Sequence, residues 1–383
     1  GQPIGGVIPW SRDDQRGDPN LKPEITENRE LGAELRLFKG RLGVDVTYYI
    51  INSKDLIVPI LVSTASGFNS VRTNAGEIQN KGWEITLNGT PVQNKDFKWD
   101  VSVNLTNNRN QVLRVSDQGN EITVGSLSGY INATVTQKYV VGQPVGGLYG
   151  TTLARYYGNK PDDPNALDRS LPYLIQGGTG AQRGFPARDL RQRLLGNSQP
   201  RWIGGISNSF TYKNLSLGVL FDFRTDYQKY NQLGNWMAAF GIAKYTEDRR
   251  DTKVFPGFLA DGTANSMPVW LGQGVGPDGR NYSNGYYRDI FRTVSEPFVE
   301  DADWFRLRNV SLSYAMPAKW FAKTKVIRDI TATITGNNLW LSTPYSGFDP
   351  EASSTAASSN ADGFSGFNYP AVRSFLFTLA VNF

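Results

Sequence analysis

Hydrophobic and small or polar positions alternate with period two along the last eleven residues, Arg373 to Phe383. Phe375, Phe377, Leu379, Val381 and Phe383 fall on one face of an extended strand, and Ser374, Leu376, Thr378, Ala380 and Asn382 on the other. The same alternation predicts eight earlier strands. Leu31, Ala33, Leu35 and Leu37 lead through Lys39-Gly40 into Leu42, Val44, Val46, Tyr48 and Ile50, a hairpin by its turn chemistry. A third strand over about 72–91 carries Trp83, Ile85 and Leu87, and a fourth sets Phe97, Trp99, Val101, Val103 and Leu105 against Lys98, Asp100, Ser102, Asn104 and Thr106. Trp202 to Tyr212 and Leu215 to Phe223 follow, then about 303–316 and 328–341. In these last two the apolar phase shifts, from Phe305/Leu307 to Val310/Leu312/Tyr314 and from Ile330/Ala332/Ile334 to Leu339/Leu341. A β-bulge or a change of environment explains such a shift.

Short turns alternate with long inserts at about 59–71, 116–199, 226–302 and 342–370. That asymmetry, with strands of about 9–11 residues or more that have one apolar face, predicts an all-β, antiparallel transmembrane β-barrel, its turns periplasmic and its loops extracellular. Nine strands is an odd number, whereas single-chain bacterial barrels have even counts. The chain therefore reads as the C-terminal portion of a larger barrel, with its C-terminus periplasmic. Trp99, Trp202, Trp304, Trp340 and Tyr48 suit the interfacial aromatic girdles of such a barrel, or the core of a soluble fold. Asp45, Lys98, Asp100 and Asn104 suit its lumen.

Composition narrows the chemistry. No run approaches the roughly 18 apolar residues of a membrane-spanning helix, and the mean hydropathy is −0.40. Cysteine and histidine are both absent, which excludes disulfides, Ser-His-Asp and Cys-His catalysis, and His- or Cys-ligated zinc. The net charge of +5 is spread without a basic block, so no nucleic-acid partner is expected. The first residues, Gly1-Gln-Pro-Ile-Gly-Gly, lack the charged and apolar regions of a leader.

Several segments together resemble one family. Gly17-Asp-Pro-Asn-Leu-Lys-Pro-Glu-Ile-Thr26 is similar to a segment common in TonB-dependent receptor barrels. Asn74-Ala-Gly-Glu-Ile-Gln-Asn-Lys-Gly82, Gly196-Asn-Ser-Gln-Pro-Arg-Trp202, Phe305-Arg-Leu-Arg-Asn-Val-Ser-Leu-Ser-Tyr314 and, most specifically, Thr335-Gly-Asn-Asn-Leu-Trp-Leu-Ser-Thr-Pro-Tyr-Ser-Gly-Phe-Asp-Pro-Glu351 resemble the SusC/RagA outer-membrane transporters. The resemblance runs from about residue 17 to 383. It implies a 22-stranded barrel with a plug and TonB box, neither of which is in this chain. It also implies a SusD-like surface lipoprotein as partner, the TonB–ExbB–ExbD complex as energy source, and oligosaccharides or peptides as cargo. Where many relatives carry an acidic calcium-type loop, this chain reads Phe185-Pro-Ala-Arg-Asp-Leu-Arg-Gln-Arg193, which argues against that site.

No residue is assigned to catalysis, metal or cofactor. Candidate substrate or partner contacts are the aromatics of the 226–302 insert, foremost Trp236, Trp270, Tyr282, Tyr286 and Tyr287. Packing among themselves is the competing role for a loop this long. Carboxylates cluster at Asp162/Asp163/Asp168 and Glu300/Asp301/Asp303, where solvated loop acids are the ordinary case against a cation site or a glycosidase-like pair. Gly272-Gln-Gly-Val-Gly276 lacks the Lys-Ser/Thr of a phosphate loop. Three functions stay open: an importer, a passive pore or scaffold in the same membrane, and a soluble glycan-binding β-protein.

Overall fold

The computed structural model describes residues 15–115, 120–158, 160, 162, 167–321, 326–355 and 361–383. Nine strands form one antiparallel sheet in sequence order: β1 (Ile25–Leu37), β2 (Leu42–Lys54), β3 (Glu77–Gln93), β4 (Phe97–Arg114), β5 (Trp202–Tyr212), β6 (Leu215–Thr225), β7 (Trp304–Ala315), β8 (Asp329–Ser342) and β9 (Ser374–Asn382). These are the nine strands that the alternation predicts. Tight turns close one end; Lys39 and Gly40 adopt φ of 59° and 85° between β1 and β2, and Lys213 adopts 52° between β5 and β6.

Boundaries differ where alternation fails. The third strand does not start near residue 72: Ser70–Asn74 pairs with Ile57–Leu61 in a separate small sheet. Gly76, at φ 102°, bends the chain before β3 begins. Conversely, β4 continues past Thr106 through Asn107, Asn108, Arg109 and Asn110, paired with Asn80–Trp83 of β3. Polar residues on both faces hide a strand from a period-two test, and they fit one that extends beyond lipid.

Register gives the sheet two different faces. One row runs Leu35–Val44–Leu87–Val103–Ile206–Phe221–Leu307–Trp340 across eight strands. The next row, one residue along, runs Glu34–Asp45–Thr86–Asn104–Gly205–Asp222–Arg306 on the opposite face. Phe375, Phe377 and Leu379 extend the apolar face at β9 and are 67%, 77% and 64% exposed, an arrangement that suits lipid and no aqueous surface.

In β7 the phase changes at Arg308, which is skipped in the ladders to both neighbours, so a bulge is the cause. In β8 the expected shift to Leu339 and Leu341 does not hold. Two residues, Asn338 (φ 53°) and Leu339, stand between the paired Asn337 and Trp340. Trp340 thus stays on the apolar face, Leu339 covers Gly336, and Leu341 packs against the buried cluster of Tyr227, Ala302, Trp304 and Tyr345. Trp304 also leaves the expected girdle: only 4% exposed, it shares the parity of Arg306 and lies inside that cluster. Tyr48 and Trp83 (centroids 4.8 Å apart), and Trp99 and Phe210 (5.7 Å), are aromatic pairs on the apolar face.

Three inserts, between β4 and β5, β6 and β7, and β8 and β9, join into one packed loop body. Its core unites Val135, Leu148 and Leu195 from the first, Tyr230, Ala238 and Phe298 from the second, and Phe364 from the third. The second insert contributes helix α1 (Gln232–Phe240), capped by the Asn231 side chain and ended by Gly241 at φ 65°, and the short helix α2 (Gly285–Asp289). No helix among the described residues is long and apolar enough to cross a membrane.

Candidate functional site: the polar wall and the loop body

The polar face is hydrogen-bonded along its length. Thr86 Oγ1 donates to Asn104 (3.1 Å), Ser102 Oγ to Asn88 (2.8 Å), and Thr90 Oγ1 to Asp100 (2.7 Å). Lys98 pairs with Asp100 at 2.8 Å. A hollow of about 560 Å³ opens here, lined among others by Glu34, Arg36, Arg41, Asp45, Asp100 and Ser207. Asp45, Lys98, Asp100 and Asn104, the positions that the sequence assigns to a lumen, all lie on this one face. Charges of both signs, widely solvated, line it.

Toward the loop end, the third insert is strapped to this face. Arg306 Nη2 donates to Asp349 (2.7 Å), and Arg308 reaches Asp222 (2.7 Å) and Glu351 (2.8 Å). Both guanidinium groups stand 5.5 Å from the Trp304 ring. Lys229 Nζ donates to the carbonyls of Pro350 (2.9 Å) and Ala352, and burial pushes its ammonium down to about 8. Nearby, burial pushes the Asp362 carboxyl above the ordinary range against the Ser198 hydroxyl donor and the Lys229 charge. Asp349-Pro-Glu351 belongs to the most family-specific motif of the sequence. Its partner Arg306 is separated from it by 43 residues, a pairing no local pattern reveals.

The five candidate aromatics part company. Tyr282 and Tyr286, 2% and 8% exposed, pack with Phe185 and Phe255 in the core of the loop body and offer no contact surface; burial raises both hydroxyls. Trp236 sits among Tyr130, Phe240 and Phe367 (5.0, 6.0 and 5.7 Å). Trp270 and Tyr287 come together at a cavity of about 470 Å³, with Phe240, Gln273 and Asn284. The indole is fixed by Nε1 donating to the Arg250 carbonyl (2.8 Å), and the Tyr287 hydroxyl by the Tyr245 carbonyl (2.7 Å) and Asp248 (2.5 Å). Arg249, Arg250 and Arg288 line the same cavity. Sequence reasoning missed them, since arginines scattered through a long loop carry no periodic signal.

The acidic clusters are occupied by partners within the chain. Asp162 pairs with Arg191 and Arg193 (2.7 Å each), and these hydrogen bonds hold its carboxyl below the ordinary range although burial works the other way. Asp168 accepts from Ser170; Asp163 lies outside the described residues. Glu300 accepts from Asn231 and Ser346, Asp301 from Gln228, and Asp303 from the backbone of Asp226. No group of three or more metal-ligating side chains gathers among the described residues. Gly276 and Arg280 close a turn against Trp270 and Tyr282, with backbone bonds from Gly276 to Arg280 and from Gly274 to Ser283.

A family model of the TonB-dependent receptor-like β-barrel matches residues 9–339. The chain belongs to this family. Membership places it in an outer membrane and accounts for the two faces of the sheet. Among curated TonB-dependent receptors, P3 of Formosa agariphila is 26% identical over 372 residues, covering 95% of this chain and 34% of the relative. SusC of Bacteroides thetaiotaomicron is 24% identical over 370 residues, covering 95% and 32%. The RagAB peptide transporter superposes with a TM-score of 0.63 at 20% identity, over 94% of this chain and 36% of that one. The RagAB importer in its open-open state gives 0.64 at 22% identity. The SusC/RagA resemblance read from the sequence agrees with these neighbours. The chain spans about a third of the length of the relatives it matches.

Proposed function

We propose that this chain is the C-terminal barrel wall and loop body of a TonB-dependent importer that takes up oligosaccharides or peptides. A SusD-like lipoprotein closes over its extracellular loops, and TonB–ExbB–ExbD drives it through a plug carried elsewhere in the protein. The observation that carries this reading is the pairing of one continuous apolar row with one continuous polar row across the sheet. The loop body then faces outward and Phe383 the periplasm. The strap formed by Asp349 and Glu351 lies on the lumen side, where it narrows the passage and gives incoming cargo a fixed rim. Nothing in this arrangement performs chemistry on the cargo; work comes from coupling.

The test is uptake in whole cells that express the full-length protein. Accumulation of labelled oligosaccharides or peptides that stops on deletion of TonB or collapse of the proton gradient is the expected result. Accumulation that continues without TonB would make the barrel a passive pore. Purification from outer membranes in detergent reports separately on the lipoprotein, which co-purifies in the importer.

A further inference from the structure

The cavity between α1, α2 and the Trp270 segment has a composition unlike the rest of the loop body. Its walls carry three guanidinium groups, Arg249, Arg250 and Arg288, three aromatic rings, Phe240, Trp270 and Tyr287, and the amides of Gln273 and Asn284, with no carboxylate among them. Several buried arginines of this chain are matched by acids, Arg155 by Glu296, Arg193 by Asp162 and Asp189, Arg306 by Asp349, whereas Arg249 and Arg250 are exposed and Arg288 is half-buried. Here the neighbouring acids are engaged away from the guanidiniums, Asp248 with the Tyr287 hydroxyl and Asp289 with Asn284. Among the described residues no carboxylate lies within ion-pair distance of Arg249, Arg250 or Arg288; only Arg249 has a polar contact of its own, to the Thr246 carbonyl (3.1 Å).

We propose that this cavity is a binding subsite for an oligosaccharide bearing acidic substituents, carboxylate or sulfate. Guanidinium groups recognise either anion through paired, charge-assisted hydrogen bonds. The flat rings stack on the C–H faces of sugars, and the amides serve hydroxyls. A volume of about 470 Å³ lies within the roughly 300–1,000 Å³ of small-ligand sites. The walls are fixed in advance: Gly285, at φ 77°, lies so close to the Leu271–Gly272 backbone that a Cβ would stand 2.5 Å from the Gly272 carbonyl oxygen.

This inference rests on the importer reading, and its test is binding, which needs neither TonB nor a membrane potential. The full-length transporter in detergent is titrated calorimetrically with tetragalacturonate, a sulfated galactose tetramer, the neutral galactose tetramer and tetraglutamate. The expected result is that at least one acidic sugar binds about tenfold or more tightly than the neutral one, with the two acidic arms telling carboxylate from sulfate. Arg250→Gln and Arg288→Gln each then remove about tenfold of that preference, and Trp270→Ala weakens the acidic and neutral sugars together. Arg288→Lys, which keeps the charge, recovers part of the loss and separates recognition from misfolding. Equal affinity for acidic and neutral sugars, arginine variants that bind like the parent, or tighter binding of tetraglutamate would each overturn the proposal. Loss of TonB-dependent uptake with this binding intact would count against the importer reading alone.

Discussion

Arg306 on β7 and Asp349 in the third insert meet at 2.7 Å with both side chains at most 4% exposed. An ion pair so enclosed contributes little over a well-packed apolar pair, yet removing one member deprives the other of its nearest counter-charge, leaving Arg306 only Glu351 at 3.2 Å, at a cost of up to about 3–5 kcal/mol. Asp349→Asn or Arg306→Met should therefore loosen the strap, seen as faster proteolysis between residues 343 and 355 in the detergent-purified full-length protein. The double variant Arg306→Met/Asp349→Leu should be less sensitive than either single one. Additive losses in that cycle would refute the coupling.

Gly82 is held against its neighbours on β4 and β2. A Cβ there would stand 1.9 Å from the Asn107 carbonyl oxygen and 2.8 Å from Tyr49 Oη. Gly82→Val should force the strands apart and cost about 1–3 kcal/mol or more. The folded, heat-modifiable band on electrophoresis should shrink; a variant that refolds like its parent would show that the approach relaxes freely.

Lys229 makes the stability of the loop body rise at alkaline pH. Its folded value of about 8 lies below the ordinary 10.5, so the unfolded chain holds the proton more tightly than the folded one. Below about 8 both states are charged and the full cost of burying the ammonium, about 3 kcal/mol, is present. As pH rises from about 8 towards 10.5 the folded state sheds its proton first, and the cost is relieved. Relative to Lys229→Met, the parent should gain thermal stability over that window; parallel pH profiles would refute the assignment.

Asn208 sits in the apolar face between Val101 and Val219, its side-chain oxygen accepting from Trp99 Nε1 at 3.1 Å. In lipid no water replaces that donor. Trp99→Phe should destabilise the barrel by about 1 kcal/mol, and Asn208→Leu placed on top should restore it, as read from urea unfolding in vesicles.

How legible this chain was depends on what faces what. Strands such as β5 and β6 alternate cleanly because lipid and water sort Ile206 from Ser207, so their ends were readable within about two residues. Where β4 leaves lipid, at Asn107 to Asn110, that sorting stops and the strand became invisible. Leu341 misled for a related reason, because its apolar neighbours are Trp304 and Tyr345 rather than lipid. The loop body was opaque throughout. Which aromatics became core, as Tyr282 did, and which stayed open, as Trp270 did, depends on contacts with Phe185 almost a hundred residues away. The arginine cavity was hidden for the same reason, since only folding removes the carboxylates from its walls.

The loop body draws one of its buried clusters from three inserts. The Tyr230 hydroxyl donates to the Ala133 carbonyl across 97 residues, and Phe364 closes the same cluster from beyond β8. Contacts so distant in sequence form late, after the chain between them has been arranged. The loop body therefore cannot mature strand by strand as the wall is laid down; it waits for the final hairpin. A shaped, protease-resistant loop body is in that sense a certificate of completed insertion, and a stalled barrel would display slack, cleavable loops.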